Sequence, residues 1–120
     1  MQSLRLRREV RRRIIVGADG FELHEGDVRF EEVRWSEIGE IVAWKRDELT
    51  VDTVWMEFHL PADGRNIAVN EDDDGFAKMV REVKRVFPDS LQHWDREIIQ
   101  PPFAASLTQV YRRPDQPIQN

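Results

Sequence analysis

Residues 51–60 read VDTVWMEFHL, and the fold turns on whether they form a strand. Val54, Met56, Phe58 and Leu60 fall on alternate positions. That is the spacing of one face of a strand, because successive side chains of an extended backbone point to opposite sides. The other face then carries Asp52, Trp55, Glu57 and His59. A tryptophan on that second face has two readings. Either it is covered by the N-terminal arm or the C-terminal segment of the same chain, or it anchors a partner, since aromatic side chains are enriched at interface hot spots.

Toward the N-terminus the same alternation recurs in short runs. Val10 to Val16 reads as a strand, ended by the turn Gly17-Ala18-Asp19-Gly20. Phe21 and Leu23 alternate with Glu22 and His24, and Glu25-Gly26-Asp27 turns the chain again, which predicts a hairpin meander. Val28 and Phe30 share one parity, Val33 and Trp35 the other. A flip across Glu31-Glu32 requires a bulge, a bend or two separate strands, because a one-residue slip turns every side chain over.

The stretch WSEIGEIVAWKRD at 35–47 is mixed. Trp35, Ile38 and Ile41 or Val42 have helical spacing, whereas Gly39 and the β-branched pair Ile41-Val42 favour a strand from about residue 38. The expectation is a strand running into Lys45, a loop over Arg46 to Thr50, and then the strand at 51–60. Trp35 would open a core strand and Trp44, alternating with Val42, would be core. Pro61-Ala62-Asp63-Gly64 reads as a turn, and Ile67 and Val69 as a further short strand.

The pattern then changes period. In DDDGFAKMVREVKRVF, Phe76, Met79, Val80, Val83, Val86 and Phe87 form one apolar stripe, predicting an amphipathic helix over 73–87. Asp72, Asp73 and Asp74 stand where a cap and negative charge would stabilise its first turn, and Pro88 stops it. Beyond it, Ser90 could cap a short turn carrying Leu91 and Trp94. Ile98, Ile99, Phe103, Leu107, Val110 and Tyr111 make 89–113 too apolar to float free, so this tail is expected to dock on the body. Residues 114–120, PDQPIQN, are polar and proline-broken and are expected to fray.

Composition narrows the function classes. A chain of 120 residues fits one domain, here 1–113. No cysteine is present, which excludes a disulfide framework, a thiolate metal site and a cysteine nucleophile. No apolar run approaches the ~18 residues of a membrane-spanning helix, and the basic start lacks the apolar stretch of a signal peptide. The expectation is a soluble cytoplasmic protein. The net charge of −5 is uneven: residues 1–16 hold six arginines (Arg5, Arg7, Arg8, Arg11, Arg12, Arg13) against one glutamate, and the rest holds 12 basic against 22 acidic residues. Those arginines either form an anion-contact arm, for lipid headgroups or nucleic acid, or blunt an edge strand and pair with the acidic body.

No motif carries chemistry. NEDDDG at 70–75 has consecutive acids in place of the alternating oxygen ligands and closing glutamate of a calcium loop. His24, His59 and His93 are in no ligand spacing, and neither glycine pair, Gly17/Gly20 or Gly64/Gly75, makes a phosphate cradle between a strand and a helix. No catalytic residue, metal or cofactor is expected. The candidate partner surface is Trp55, Glu57 and His59 with Lys45, Arg46, Asp47 and Asp52, which bracket the expected loop, function being concentrated on loops held by a scaffold.

The order of these elements, with WSEI leading into a strand and RNIAVN preceding GFAKMVREVKRVF, resembles bacterial pleckstrin-homology-like and GRAM-like domains over about residues 10–87. The run from WSEI through KRD to the tail pattern W-x-x-x-I-x-x-P-x-F-x-x-x-L also resembles a group of small uncharacterised bacterial proteins. The first resemblance implies an α+β, mainly β fold. That fold is a bent antiparallel sheet or partial barrel of about six or seven strands, capped by the C-terminal amphipathic helix and followed by the docked tail. It also implies a binding module. Members that bind phosphoinositides cluster basic residues near the N-terminal strand–loop–strand, and Gly17-Ala18-Asp19-Gly20 has none. The function expected is protein–protein interaction, with a second copy of the chain among the possible partners. The alternatives are an immunity-type inhibitor of a basic toxin and a binder of anionic surfaces through the arginine arm.

Overall fold

The structure, a computed structural model, describes residues 11–48, 51–94 and 107–114, with the backbone alone for 47, 48, 51 and 52. Its elements are β1 (Arg12–Val16), β2 (Gly20–Glu25), β3 (Val28–Arg34), a 3-10 turn (Trp35–Glu37), β4 (Glu40–Glu48), β5 (Val51–Leu60), β6 (Arg65–Asn70), α1 (Phe76–Val86) and β7 (Leu107–Arg112). They make a mainly β fold of two antiparallel sheets, one ordered β1-β2-β3 and the other β6-β5-β4-β7, with no closed barrel among the described residues.

Alternation decides which face of each strand is buried. Met56, Phe58 and Leu60 of β5, Ile41 and Ala43 of β4, and Ile67 and Val69 of β6 point inward from one sheet, and Ile14, Val16, Phe21, Leu23 and Val33 from the other. Phe21 and Phe58 meet between the sheets with ring centroids 4.9 Å apart. The contact continues from Phe21 to Trp35, from Trp35 to Phe87 and from Phe87 to Tyr111 on β7. The helical stripe packs as its period requires: Met79 and Val83 are fully buried, and Phe76, Val80 and Val86 flank them. Each large apolar side chain so buried contributes ~1.5–3 kcal/mol.

The parity flip is a bulge, one residue earlier than the charge pair suggested. Leu23 pairs with Glu31 and His24 with Arg29, so Phe30 is the extra residue. Close approach of β2 and β3 explains Gly20, where a Cβ would lie 2.0 Å from the Val33 carbonyl oxygen.

Four sequence expectations are corrected. Trp35 does not open a strand. It lies in the 3-10 turn where the chain passes from one sheet to the other, still buried, with its indole N–H donated to the Ala18 carbonyl at 3.1 Å. The loop expected over Arg46 to Thr50 is largely strand: β4 runs to Glu48, opposite Val51, with Arg46 opposite Thr53 and Asp47 opposite Asp52. The charge run read as a loop, but the ladder continues through it because period-2 alternation persists past Trp44. Trp44 itself is half-buried, packed against the core while lying on Trp55.

The helix is the fourth case. It spans 76–86 with no acid in its first turn, and its N-cap is Gly75 at φ 94°. The aspartates build the turn before it: Asn70 N–H donates to Asp73 Oδ2 at 3.0 Å, and Phe76 N–H to the Asp73 carbonyl at 3.2 Å. Asp74 is tied to β1, accepting from Ile14 N–H at 2.7 Å and donating to the Arg12 carbonyl at 3.1 Å.

The same place accounts for the described part of the arginine arm. Arg11 lies 3.5 Å from Asp74 and donates to the Asp72 carbonyl. Arg12 donates to the Ala68 carbonyl on β6 at 2.8 Å, lies 3.7 Å from the buried Asp73 carboxylate, and sits over the Phe30 ring. Arg13 donates to the Gly26 carbonyl. Arg12 thus joins the first strand of one sheet to β6 of the other and to the turn that follows it. Arg12→Ala is expected to destabilise the fold by about 2 kcal/mol, since it deprives a buried carboxylate of its cation and a carbonyl of its donor. Urea unfolding checks this, and an unchanged midpoint contradicts it. Arg5, Arg7 and Arg8 lie outside the described residues.

The tail docks in part as a strand. β7 adds antiparallel to the free edge of β4, and a shift between Ile41 and Val42 leaves Val110 as the extra residue, 2% exposed. Leu91 N–H donates to the Val110 carbonyl, and the Arg113 guanidinium donates to the Ser36 carbonyl and, at 2.7 Å, to the Ile38 carbonyl. Trp94 is fully buried in the core and Ser90 is buried as well. Residues 95–106 and 115–120, including Ile98, Ile99 and Phe103, lie outside the described residues.

Candidate interaction face

The outer face of the four-stranded sheet follows from the register. Trp44 on β4 stands opposite Trp55 on β5, Val42 opposite Glu57, and Glu40 opposite His59. β6 brings Asn70, Ala68 and Asn66 beside Trp55, Glu57 and His59. β7 brings Leu107 beside Trp44, Gln109 beside Val42 and Arg112 beside Glu40. One end of the face is therefore aromatic and the other ionic.

At the aromatic end the two indoles stack, centroids 6.0 Å apart and planes 3° from parallel. Direct cross-strand pairing of two aromatics brings their Cβ atoms to about 5 Å, close enough for this contact. Both tryptophans are half-buried, and Trp55 stands outside the core cluster that Met56 and Phe58, its chain neighbours, belong to. The Trp55 Nε1–H is buried and has no acceptor among the described residues. Leu107, at the rim, is 73% exposed.

At the ionic end His59 lies between two carboxylates. Its Nδ1 is 3.1 Å from Glu40 Oε1 and its Nε2 is 2.8 Å from Glu57 Oε1. Only the imidazolium carries a proton on both nitrogens, so this geometry suits the charged ring. Partial burial opposes the charge, but the hydrogen bonds to Glu57 and Glu40 outweigh it and hold the ring pKa above its ordinary value. Burial would likewise raise the Glu40 pKa, and the hydrogen bonds from Gln109 and His59 outweigh it, holding that carboxyl below its usual range. Gln109 Nε2 donates to Glu40 Oε2 at 2.7 Å, so the polar chain crosses three strands, from β5 through β4 to β7.

Trp55, Glu57 and His59 are thus brought together as the alternation implied. Arg46 shares their side of β4 and is exposed, while Lys45 points the other way, in step with Ile41 and Ala43, and is 4% exposed. Lys45 therefore leaves the candidate surface. Asp47 and Asp52 stand opposite each other at the hairpin end. Glu40, Gln109 and Trp44 join the face and were missed. Glu40 is 19 residues from His59 and Gln109 is 69 from Glu40, so only the strand register brings them together.

Elsewhere, a groove of about 680 Å³ lies along the β1–β2 turn, lined by Ile15, Glu22, Glu32 and Arg34 among others. His24 lies 2.9 Å from Glu22 on the outer face of the three-stranded sheet, and His93 is exposed. Among the described residues no group of three histidine or acidic side chains could hold a metal ion, and no helix is long and apolar enough to cross a membrane. No protein-family model, curated protein or solved structure matches the chain.

Proposed function

We propose that the chain is a non-enzymatic binding module whose partner is a protein, docking on the outer face of β4 and β5 around Trp55. The observation that carries this reading is the stacked pair Trp44–Trp55, placed on the side of the sheet away from the Phe21–Phe58 contact. Tryptophans supply large contact area at low entropic cost, and a rim of separable charges, here Glu57, His59 and Arg46, gives orientation. The pleckstrin-homology-like reading belongs to the same proposal. Six antiparallel strands followed by an amphipathic helix are the order that the resemblance implies, and such domains are mostly binding modules. Pairing of Arg11 and Arg12 with the aspartates before α1 weighs against the anionic-surface alternative.

The test compares the wild-type protein with Trp55→Ala as baits in cross-linking capture from the source cells, after circular dichroism has shown the two folds to be alike. A protein captured by the wild type and lost, at least about tenfold, with the variant is expected, because truncation of a hot-spot tryptophan removes ~2 kcal/mol or more. Equal capture by both would overturn the assignment of the face.

A further inference from the structure

We propose that His59 is a proton-operated latch that fastens the C-terminal strand β7 to the sheet through Glu40. The inference goes beyond the partner reading and does not depend on it, because both ends of the latch lie within this chain.

The geometry is a relay. Glu57 and Glu40 each offer an oxygen to one nitrogen of the same imidazole, and the second oxygen of Glu40 accepts from Gln109 of β7. With the ring doubly protonated every one of these contacts is a donor meeting an acceptor. With the ring neutral one nitrogen becomes a lone pair, and it faces a carboxylate oxygen about 3 Å away. Two acceptors at that separation repel, so one carboxylate must turn away. Turning Glu40 withdraws it from Gln109, on an edge strand with β4 as its only ladder neighbour among the described residues. Turning Glu57 instead leaves β7 untouched, and the experiment separates the two.

The other groups around the ring do not mask the effect. On β5 itself the neighbouring charge is Glu57, and on β4 it is Glu40. β6 presents Asn66, which does not titrate near neutrality. β7 presents Gln109 and Arg112, the latter lowering the Glu40 pKa through its charge. Past the β5–β6 turn, Asp63 and Arg65 pair with each other at 2.8 Å.

The sign follows from the direction of each shift. A ring held above its ordinary 6.5 contributes fully below that value, and the contribution is lost as pH rises through the folded-state pKa. A Glu40 held below 4.5 contributes above that value and is lost as pH falls through its own folded-state pKa. The latch is closed between these limits and opens as pH rises through the folded-state pKa of His59, which lies above its ordinary value.

Amide hydrogen exchange read by NMR tests this on the whole chain, with each rate divided by its intrinsic rate at the same pH. Between about pH 6 and a pH about one unit above the ring's measured titration midpoint, the protection of the β7 amides is expected to fall roughly fivefold relative to those of the β5–β6 ladder. His59→Gln should show the lower β7 protection at both pH values. Should that variant fail to fold, the wild-type ring titration stands in its place, with a midpoint above 6.5 expected. The proposal is overturned if β7 protection in the wild type does not change with pH, if β7 and β5 change together, if the response survives in His59→Gln, or if the ring titrates at or below its ordinary value.

Discussion

Phe58→Ala is expected to destabilise the protein by about 4 kcal/mol, the range of large-to-small changes at well-packed aromatic sites. Phe58 is fully buried toward the C-terminal end of β5, and its ring touches Phe21 of the other sheet. Truncation removes the aromatic contact that joins the two sheets and leaves a cavity that neighbours such as Leu23 and Met56, themselves buried, can fill only by distorting their strands. A domain of this size is stable by ~5–15 kcal/mol, so the loss should lower the thermal midpoint by roughly 15–20 °C. Thermal unfolding followed by circular dichroism checks it. A shift of only a few degrees would mean that the sheets are not held through Phe58.

Gly75→Ala is expected to destabilise the protein by about 3 kcal/mol, combining a left-handed backbone with a backbone clash. Gly75 has φ 94°, and a Cβ there would lie 2.3 Å from the Ile14 carbonyl oxygen. The chain needs this glycine because Asp74 is bonded to both Arg12 and Ile14, which draws the start of α1 against β1. The damage should therefore be local in its signature. The Ile14 amide, which donates to the Asp74 carbonyl, should lose hydrogen-exchange protection before the β4–β5 ladder does. An alanine variant with wild-type stability would show that β1 and α1 can separate at no cost.

Sequence patterns carried the parts of this fold that depend on local period. The α1 stripe and the β5 alternation are both visible because each residue's environment follows from neighbours two to four positions away. They placed Phe58 inside and Trp55 on the opposite face. What was not legible depends on distant partners. The acidic run before α1 looks like a helix cap when read alone, yet Asp73 meets Arg12 of β1 and Asp74 meets Arg11 just before it, about 60 residues earlier. The run Lys45-Arg46-Asp47 looks like a loop because charges usually mark one, but Lys45 is drawn inside by the same alternation that buries Ala43. β7 reads as an apolar tail because its edge-strand role exists only beside β4, and its bulge puts Val110 and Tyr111 out of simple alternation. The candidate face divides in the same way: Trp55, Glu57 and His59 come from one strand and were readable, whereas Trp44 and Glu40 come from the neighbouring β4 and Gln109 from β7 beyond it.

A paired unfolding measurement on Trp55→Ala and Phe58→Ala in urea tests most directly whether the four-stranded sheet has an inner and an outer face. Trp55 loses its stack on Trp44 when truncated, but it also loses a buried indole N–H that has no acceptor among the described residues, so the two effects partly offset. Trp55→Ala is expected to cost about 1–2 kcal/mol, at most half the cost of Phe58→Ala, with the fold intact. A Trp55→Ala protein that unfolds as readily as Phe58→Ala would place Trp55 in the core and contradict the division of the sheet into an inner and an outer face.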